Sequence, residues 1–292
     1  MDNRFVLMTE YFNSSHVGRR KEIIKSIEVN CRIPETKRVV VFMDCDTELP
    51  SSLSDVLSEE NYKKIKVNRF PIQRRSTYSD FFSYANQHLA GENCILCNND
   101  ISFGSDLDEI RLAKNFELNE HFICLTRWDL MRDNSLRFKQ PARIRKNSHD
   151  AWIFKPPLPA KMLEKGGFYM GRPGCDGMVS YLATISGLKV FNPSELVRAK
   201  HLHLSRHRTY SRKHRMGGDD IYMCVFPNNK IEFDPSKLMY KFGDPRQRAY
   251  GERAIEKALQ FEAENEKHWY YAIKKCLNMG KTTWKSTGYR IR

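Results

Sequence analysis

Short runs of consecutive apolar residues recur through the first half of the chain, and they constrain its fold more than any other feature. The runs lie within predicted strands at 5–9, 38–43, 93–97 and 122–125. Strands that are buried on both faces have such continuous runs, whereas half-solvated strands alternate apolar and polar residues. Between the runs, residues 19–30 and 77–89 place their apolar side chains at helical spacing. The sequence therefore predicts an α/β fold with a mainly parallel sheet flanked by helices.

The sequence shows no sign of a membrane span or an export signal. Its apolar runs, such as 39–43, are far shorter than the roughly 20 residues that cross a bilayer. The first residues lack the apolar core and cleavage site of a secretory signal. We therefore expect a cytoplasmic protein whose eight cysteines are free thiols. The C-x-x-C formed by Cys94 and Cys97 lies in an apolar run, where a strand directs the two side chains to opposite faces.

Positive charge is concentrated in the C-terminal half. The net charge is +14; residues 1–150 hold 23 Lys/Arg against 22 Asp/Glu, and residues 151–292 hold 26 against 13. The second half therefore favours an anionic partner, such as a phosphate group, a membrane surface, an acidic glycan or a nucleic acid. The stretch 198–215 is the extreme case, because it has seven Lys/Arg and four His but no Asp or Glu.

The sequence Asn98-Asn99-Asp100 directly follows the third apolar run. In parallel α/β sheets, ligands bind beyond the carboxyl ends of the strands. A carboxylate with neighbouring amide oxygens suits a hard divalent cation, which is held by one or two carboxylates together with substrate phosphates. Asx clusters also form ordinary turns, so this motif alone leaves both interpretations open.

Across residues 5–210, the sequence resembles the GT-A class of nucleotide-sugar glycosyltransferases. That class has a D-x-D motif at such a strand end, and here the corresponding residues are Asn98-Asn99-Asp100. The other segments that carry the resemblance are Arg19–Ile23, Arg75–Phe82, Leu125–Asp129, Ser148–Phe154, Gly174–Asp176 and His201–Ser205. Asn98 replaces the first Asp of the motif, which lowers the negative charge available to a metal ion.

The resemblance implies a GT-A-like, Rossmann-type mixed sheet and a set of ligand-binding residues. It implies that the donor nucleotide and its diphosphate lie beside Thr9, Arg75, Tyr78, Asn98, Asn99 and Asp100. It further implies that Mn²⁺ or Mg²⁺ is bound by Asp100 and Asn98, with His201 or His203 as an additional ligand. The expected donor is a UDP- or GDP-sugar, and the expected acceptor is a glycan, a lipid-linked molecule or a protein.

Two carboxylates are candidates for the catalytic base. Asp176 stands in a Gly-rich turn before a helix, where the resemblance implies an acidic residue that faces the acceptor. In an inverting reaction it would deprotonate the acceptor hydroxyl, although an Asp at this place is equally expected as a helix N-cap. Asp150 is the rival, because it precedes the aromatic strand 151–154, and aromatic faces commonly stack on sugar rings.

We predict a catalytic domain at 1–215 and a basic, largely helical extension at 216–292. The basic stretch 198–215 either closes on the donor diphosphate or docks on an anionic membrane or glycan, and membrane docking would make the protein peripheral to a membrane. The chain lacks Walker and G-x-S-x-G motifs. The alternative functions are a nucleic-acid-binding protein and a nucleotidyltransferase of related fold. Because no nucleic-acid motif is present, we expect no nucleic-acid partner.

Overall fold

The computed structural model describes residues 2–113, 117–131, 133–138, 148–202, 222–241 and 248–264. The strands within these ranges are β1 (Phe5–Glu10), β2 (Thr36–Met43), β3 (Ile65–Arg69), β4 (Asn93–Cys97), β5 (Ile101–Ser102), β6 (His121–Leu130), β7 (Leu136–Arg137), β8 (His149–Phe154), β9 (Lys189–Phe191), β10 (Ala199–Leu202), β11 (Tyr222–Val225), β12 (Leu238–Lys241) and β13 (Arg248–Tyr250). The α-helices are α1 (Val17–Arg32), α2 (Ser52–Val56), α3 (Glu59–Lys63), α4 (Tyr78–His88), α5 (Asp108–Arg111), α6 (Ala160–Lys165), α7 (Cys175–Ile185) and α8 (Glu252–Glu264). None of the helices in these ranges has the length and apolar character needed to span a bilayer.

Ten of the strands form one mixed sheet in the order β3-β2-β1-β4-β8-β6-β10-β5, with β7 and β9 also paired to β6. Strand β1 pairs in parallel with β2 and β4, β2 pairs in parallel with β3, and β6 pairs in parallel with β9 and β10. The pairs made by β5, β7 and β8 are antiparallel. The predicted α/β fold with a mixed, mainly parallel sheet is therefore confirmed.

The sheet separates two hydrophobic cores, because helices cover both of its faces. Helices α4 and α7 cover the first core, and α1 covers the second. Successive residues of β1 alternate between them, with Val6 in the first core and Leu7 in the second. Cys94 and Cys97 of β4 likewise lie in different cores, as the geometry of a strand predicts. The pair is therefore neither a redox centre nor a shared metal site.

The order of the parallel strands creates a crevice between β1 and β4. From β1 the chain runs to β2 and β3 on one side, and it then returns to β4 on the other side. Such a reversal opens a ligand-binding crevice beyond the carboxyl ends of the two strands. At this point Thr9 Oγ1 donates a hydrogen bond of 3.2 Å to the Cys97 carbonyl, and Asn98 follows directly. The predicted site at Asn98–Asp100 thus lies at the crevice.

The described part of the C-terminal segment contains strands as well as the predicted helix. Residues 222–250 include a three-stranded antiparallel sheet, β11-β12-β13, which α8 follows. These strands have three or four residues each, which is too short to give a recognisable period in the sequence. Met223, Tyr240 and Ala258 pack in the first core together with α4 and α7. The predicted boundary at 215 and residues 265–292 lie outside the described residues.

Helix α4 begins with a complete capping box. The Thr77 hydroxyl accepts a hydrogen bond from the Asp80 backbone N–H at 3.3 Å, and Asp80 Oδ2 accepts one from the Thr77 backbone N–H at 2.7 Å. Arg74 adds two parallel hydrogen bonds to the Asp80 carboxylate, at 2.6 and 2.7 Å. These bonds satisfy N–H groups that the helix itself leaves unpaired. They fix the start of α4 three residues after Arg75, at the edge of the crevice.

Replacing Thr77 with Ala should lower the free energy of unfolding by about 1 kcal/mol, because the capping hydroxyl is lost. Urea denaturation followed by circular dichroism measures the change. Ser51→Ala is the matched control, since Ser51 is the N-cap of α2 but makes no side-chain capping bond. Its effect should be much smaller, and an equal loss of stability in the two variants would contradict the capping account.

Candidate functional site

Asp100 is the centre of a buried ionic cluster beyond the end of β4. Its Oδ2 lies 2.5 Å from Arg19 Nη1 and 3.1 Å from His201 Nε2. Arg19 comes from the first turn of α1, and its Nη2 also donates to Asn99 Oδ1 at 2.6 Å. Burial alone would raise the pKa of Asp100, but Arg19 and His201 hold that pKa well below its usual range. Asp100 is therefore ionised at neutral pH.

Strand pairing places His201 in this cluster. Strand β10 runs parallel to β6 with His201 opposite Asp129, and antiparallel to β5 with His201 opposite Ile101. His201 Nδ1 lies 3.0 Å from Asp129 Oδ1, while Nε2 faces Asp100. Burial disfavours the charged ring, but its hydrogen bonds to Asp100 and Asp129 outweigh burial and raise the pKa of His201 to about 9. The imidazolium form can donate from both ring nitrogens, so His201 is a second cation beside Asp100.

Arg127 connects the cluster to Asp150. Its Nε lies 3.4 Å from Asp129 Oδ1, and its Nη1 lies 3.3 Å from Asp150 Oδ2. Asn98 Nδ2 donates to Asp150 Oδ1 at 2.6 Å, and the Asn98 backbone N–H donates to the Asp150 carbonyl at 2.9 Å. One polar network thus brings together the predicted site residues Asn98, Asn99, Asp100, Asp150 and His201.

Asp176 lies in the first turn of α7, in a different environment. The N-cap of this helix is Gly174, whose φ of 87° falls in the left-handed region that glycine adopts without strain. Asp176 is therefore not the N-cap, which removes one of the two interpretations of the sequence. Its Oδ2 accepts a hydrogen bond from the His149 backbone N–H at 3.2 Å. Burial, together with the charge of Asp150, raises the pKa of Asp176 to about 7.

The residues predicted to contact the nucleotide divide into two groups. Thr9 and Arg75 lie at the crevice, where Arg75 Nη2 pairs at 2.7 Å with Oε2 of Glu10, the last residue of β1. Tyr78 is fully buried, with its ring edge-on to Trp152 at 5.2 Å between ring centres. The described contacts of Tyr78 are with the core beneath the site, and its contact with the nucleotide stays a prediction.

Four charged residues lie at or beside the crevice without having been predicted as site residues: Glu10, Arg19, Asp44 and Asp129. Asp44 follows β2 and is buried, and its Oδ1 has no hydrogen-bond partner within the described ranges. Burial of a polar atom without a hydrogen-bond partner destabilises the folded protein, unless a ligand or a water molecule supplies that hydrogen bond. The three acidic residues share a signal, because each stands at or just beyond the carboxyl end of an apolar strand. Arg19 has no such signal.

The residues described do not assemble the predicted metal centre. Asp100 and His201 do lie together, but the Asp100 oxygen nearest to His201 also contacts Arg19, and both ring nitrogens of His201 face carboxylate oxygens. Asn98 directs its amide nitrogen, and not its oxygen, at a neighbouring carboxylate. In the described part of the chain, no group of three or more His, Cys, Asp or Glu side chains could hold a metal ion. The fourth predicted ligand, His203, lies outside the described residues.

Comparisons with known proteins give similarity to solved structures only. No protein-family model matches the chain, and a search of curated proteins finds no match. A mannosyltransferase from Pyrobaculum calidifontis in complex with GDP-Man and Mn²⁺ is 12% identical, and the match covers 72% of this chain and 59% of that chain with a TM-score of 0.45. GalNAc-T7 with UDP, GalNAc and Mn²⁺ is 11% identical, and the match covers 71% of this chain and 45% of that chain with a TM-score of 0.47.

A synthase matches with a similar TM-score. The 4-diphosphocytidyl-2C-methyl-D-erythritol synthase from Anaerococcus prevotii is 12% identical, and the match covers 72% of this chain and 94% of that chain with a TM-score of 0.44. The chain spans less than two thirds of the length of the mannosyltransferase and of GalNAc-T7. TM-scores below 0.5 at these identities leave the function to be inferred from the site itself.

The raised pKa of Asp176 predicts a pH-dependent cost to folding. The carboxyl titrates near its ordinary value of 3.8 in the unfolded chain and near 7 in the folded protein. Between these values the unfolded chain has released a proton that the folded protein keeps. The contribution of Asp176 to the free energy of unfolding therefore falls as pH rises across this window.

Asp176→Asn removes this titration. The thermal midpoint of the variant, relative to that of the unchanged protein, should be higher at pH 8 than at pH 4. Differential scanning calorimetry at the two pH values measures this difference. Asp55→Asn, at an exposed position of α2, is the control and should shift the midpoint equally at both. If the advantage of Asp176→Asn does not grow between pH 4 and pH 8, the carboxyl does not have the environment described.

Proposed function

We propose that this protein transfers a sugar from a nucleoside-diphosphate donor to a hydroxyl group of a glycan, lipid-linked or protein acceptor. One observation carries the proposal, namely that a carboxyl with a raised pKa lies next to an ionic cluster at the crevice between β1 and β4. Asp176 is bonded to the His149 backbone, and the adjacent residue Asp150 is bonded to Asn98. A cation-bearing crevice suits a diphosphate, and a pKa near neutrality suits a general base.

The donor half of the reaction uses the crevice. Parallel α/β sheets bind nucleotides at such a reversal of strand order, and Arg19 and Arg75 supply positive charge beside the ends of β4 and β1. Asp44 has a buried oxygen that lacks a partner among the described residues, and it would accept a hydrogen bond from an N–H group of the base. Uracil and guanine both present such a group, so this contact is compatible with the expected UDP- or GDP-sugar donor.

The catalytic half uses Asp176 as the base. In its ionised form, Asp176 takes the proton of the acceptor hydroxyl while the acceptor oxygen forms a bond to the anomeric carbon of the sugar. The bond between that carbon and the phosphate oxygen breaks, and the nucleoside diphosphate leaves with the bonding electrons. This role belongs to an inverting displacement.

Asp150 has a supporting part in the same step. Side-chain donors hold both of its oxygens, Asn98 on Oδ1 and Arg127 on Oδ2. Its negative charge contributes to the raised pKa of Asp176. Neighbouring carboxylates commonly divide their roles in this way, with one kept ionised while the other titrates near the working pH. We therefore assign the base to Asp176 and the positioning role to Asp150.

Two expectations from the sequence stay predictions. Assistance by Mn²⁺ or Mg²⁺ is one of them, because the described residues do not assemble the expected ligands, and no step of the mechanism is assigned to a metal ion. Docking on an anionic membrane or glycan is the other, because residues 203–215 of the basic stretch lie outside the described ranges.

Binding of the donor should raise the thermal midpoint of the protein. A ligand that binds only the folded state stabilises it by about 2.7 kcal/mol at 100 times its dissociation constant. Differential scanning fluorimetry with UDP-, GDP-, CMP- and dTDP-sugars, each in EDTA and in Mn²⁺, measures the shift. We expect a rise with one nucleotide class. No rise with any donor, alongside a rise with an oligonucleotide, would favour a nucleic-acid-binding protein instead.

Asp176→Asn should lower turnover by about 100-fold or more, because the proton acceptor of the transition state is lost. Donor affinity should change little, since the base does not contact the nucleotide. Rates of nucleoside-diphosphate release and calorimetric titration with the donor separate the two effects. The turnover of the unchanged protein should rise with pH up to about 7, where Asp176 becomes ionised. Full activity in the Asn variant would show that another group is the base.

A further inference from the structure

Arg19 donates hydrogen bonds to three residues of the ionic cluster. Its Nη1 donates to Asp100 Oδ2 at 2.5 Å and to Glu22 Oε2 at 3.1 Å, and its Nη2 donates to Asn99 Oδ1 at 2.6 Å. A guanidinium has five N–H groups, so two of them, on Nε and Nη2, have no acceptor among the described residues. The side chain is 21% exposed, so part of it is open to solvent.

Arg19 lies beside the place where a donor diphosphate is expected to bind. Arg19 follows β1, in the first turn of α1, and its partner Asp100 follows β4. Their ion pair therefore bridges the mouth of the crevice between the two strands. Nucleotide phosphates lie beside this first strand-to-helix connection in α/β sheets. A cation placed here contacts the phosphate group on which negative charge develops when its bond to the sugar breaks.

The charge on Arg19 is permanent and its orientation is fixed. A guanidinium stays protonated in proteins, and its planar fork matches the oxygens of a phosphate. Asp100, Glu22 and Asn99 hold it on one side, and His201 holds Asp100 in turn. A divalent ion bound through Asp100 Oδ2 would have to displace Arg19.

We propose that Arg19 binds the donor diphosphate directly and stabilises it as the leaving group, so that donor binding requires no divalent metal ion. This inference rests on the proposed glycosyltransferase function and names the cation of the same site. When the sugar–phosphate bond breaks, the electron pair moves onto the phosphate oxygen, and a guanidinium already oriented there stabilises the new charge. Asp100 is then a positioning residue for Arg19.

Isothermal titration calorimetry of the full chain with UDP and with GDP tests the inference. These probes retain the diphosphate and cannot undergo sugar transfer. The nucleotide that binds should do so in EDTA, and addition of MnCl₂ should change its Kd by less than about 3-fold.

Substitution of Arg19 provides the second arm. Arg19→Ala should weaken nucleotide binding in EDTA by about 10- to 100-fold, the effect of losing hydrogen bonds to a charged group. Arg19→Lys keeps the charge but loses the fork, so its affinity should lie between the two. The Lys variant also decides the question if thermal melting shows that the Ala variant does not fold. Lys25→Ala is the matched control, because Lys25 is a cation of the same helix that pairs with Glu28, and it should bind like the unchanged protein.

The outcomes separate this inference from the function on which it rests. Binding in EDTA that is weakened by Arg19 substitution but not by Lys25→Ala supports the inference. Binding that requires Mn²⁺, or binding in EDTA that both Arg19 variants retain in full, overturns it and leaves the proposed function standing. If UDP, GDP and their sugars all fail to bind with and without Mn²⁺, the proposed function is itself overturned.

Discussion

The buried carboxylate of Asp100, held between two cations, connects three separate parts of the chain at the crevice. Asp100 follows β4, Arg19 lies in the first turn of α1, and His201 lies on β10. Asp100 is therefore separated in sequence by 81 residues from Arg19 and by 101 residues from His201. An unpaired carboxylate at this depth would be strongly unfavourable, and removal of one partner from a buried ion pair typically costs about 3–5 kcal/mol. The native arrangement of strand ends is therefore also the arrangement that satisfies this charge.

A second set of polar contacts joins Asp176 to the C-terminal sheet. The Val225 carbonyl of β11 accepts hydrogen bonds from His149 Nε2 at 3.2 Å and from Asn192 Nδ2 at 2.9 Å. Burial lowers the pKa of His149 to about 4, so the ring is neutral, and its Nδ1 lies 3.2 Å from the Ser180 hydroxyl. Because the His149 backbone N–H also donates a hydrogen bond to Asp176, the C-terminal sheet contributes to the surroundings of Asp176.

The sequence predicted those features whose physical signal is local. Continuous apolar runs predicted the buried strands, and polar residues at strand ends predicted the positions of Asp100 and Asp150. The resemblance places Tyr78 beside the nucleotide, whereas the burial of its ring depends on Trp152, which is distant in the sequence. The short strands β11 to β13 carry too few residues for a period. Arg19 resembles its neighbour Arg20 in the sequence, and only the contact with Asp100 distinguishes the two.

A crystal structure with the bound nucleoside diphosphate would show whether Arg19 binds the leaving group. We predict that the diphosphate lies beyond the ends of β1 and β4, with its oxygens about 3 Å from the Arg19 guanidinium. We also predict that the ion pair between Arg19 and Asp100 is retained in the complex. A nucleotide bound elsewhere on the chain, or a metal ion on Asp100 with Arg19 displaced, would contradict these predictions.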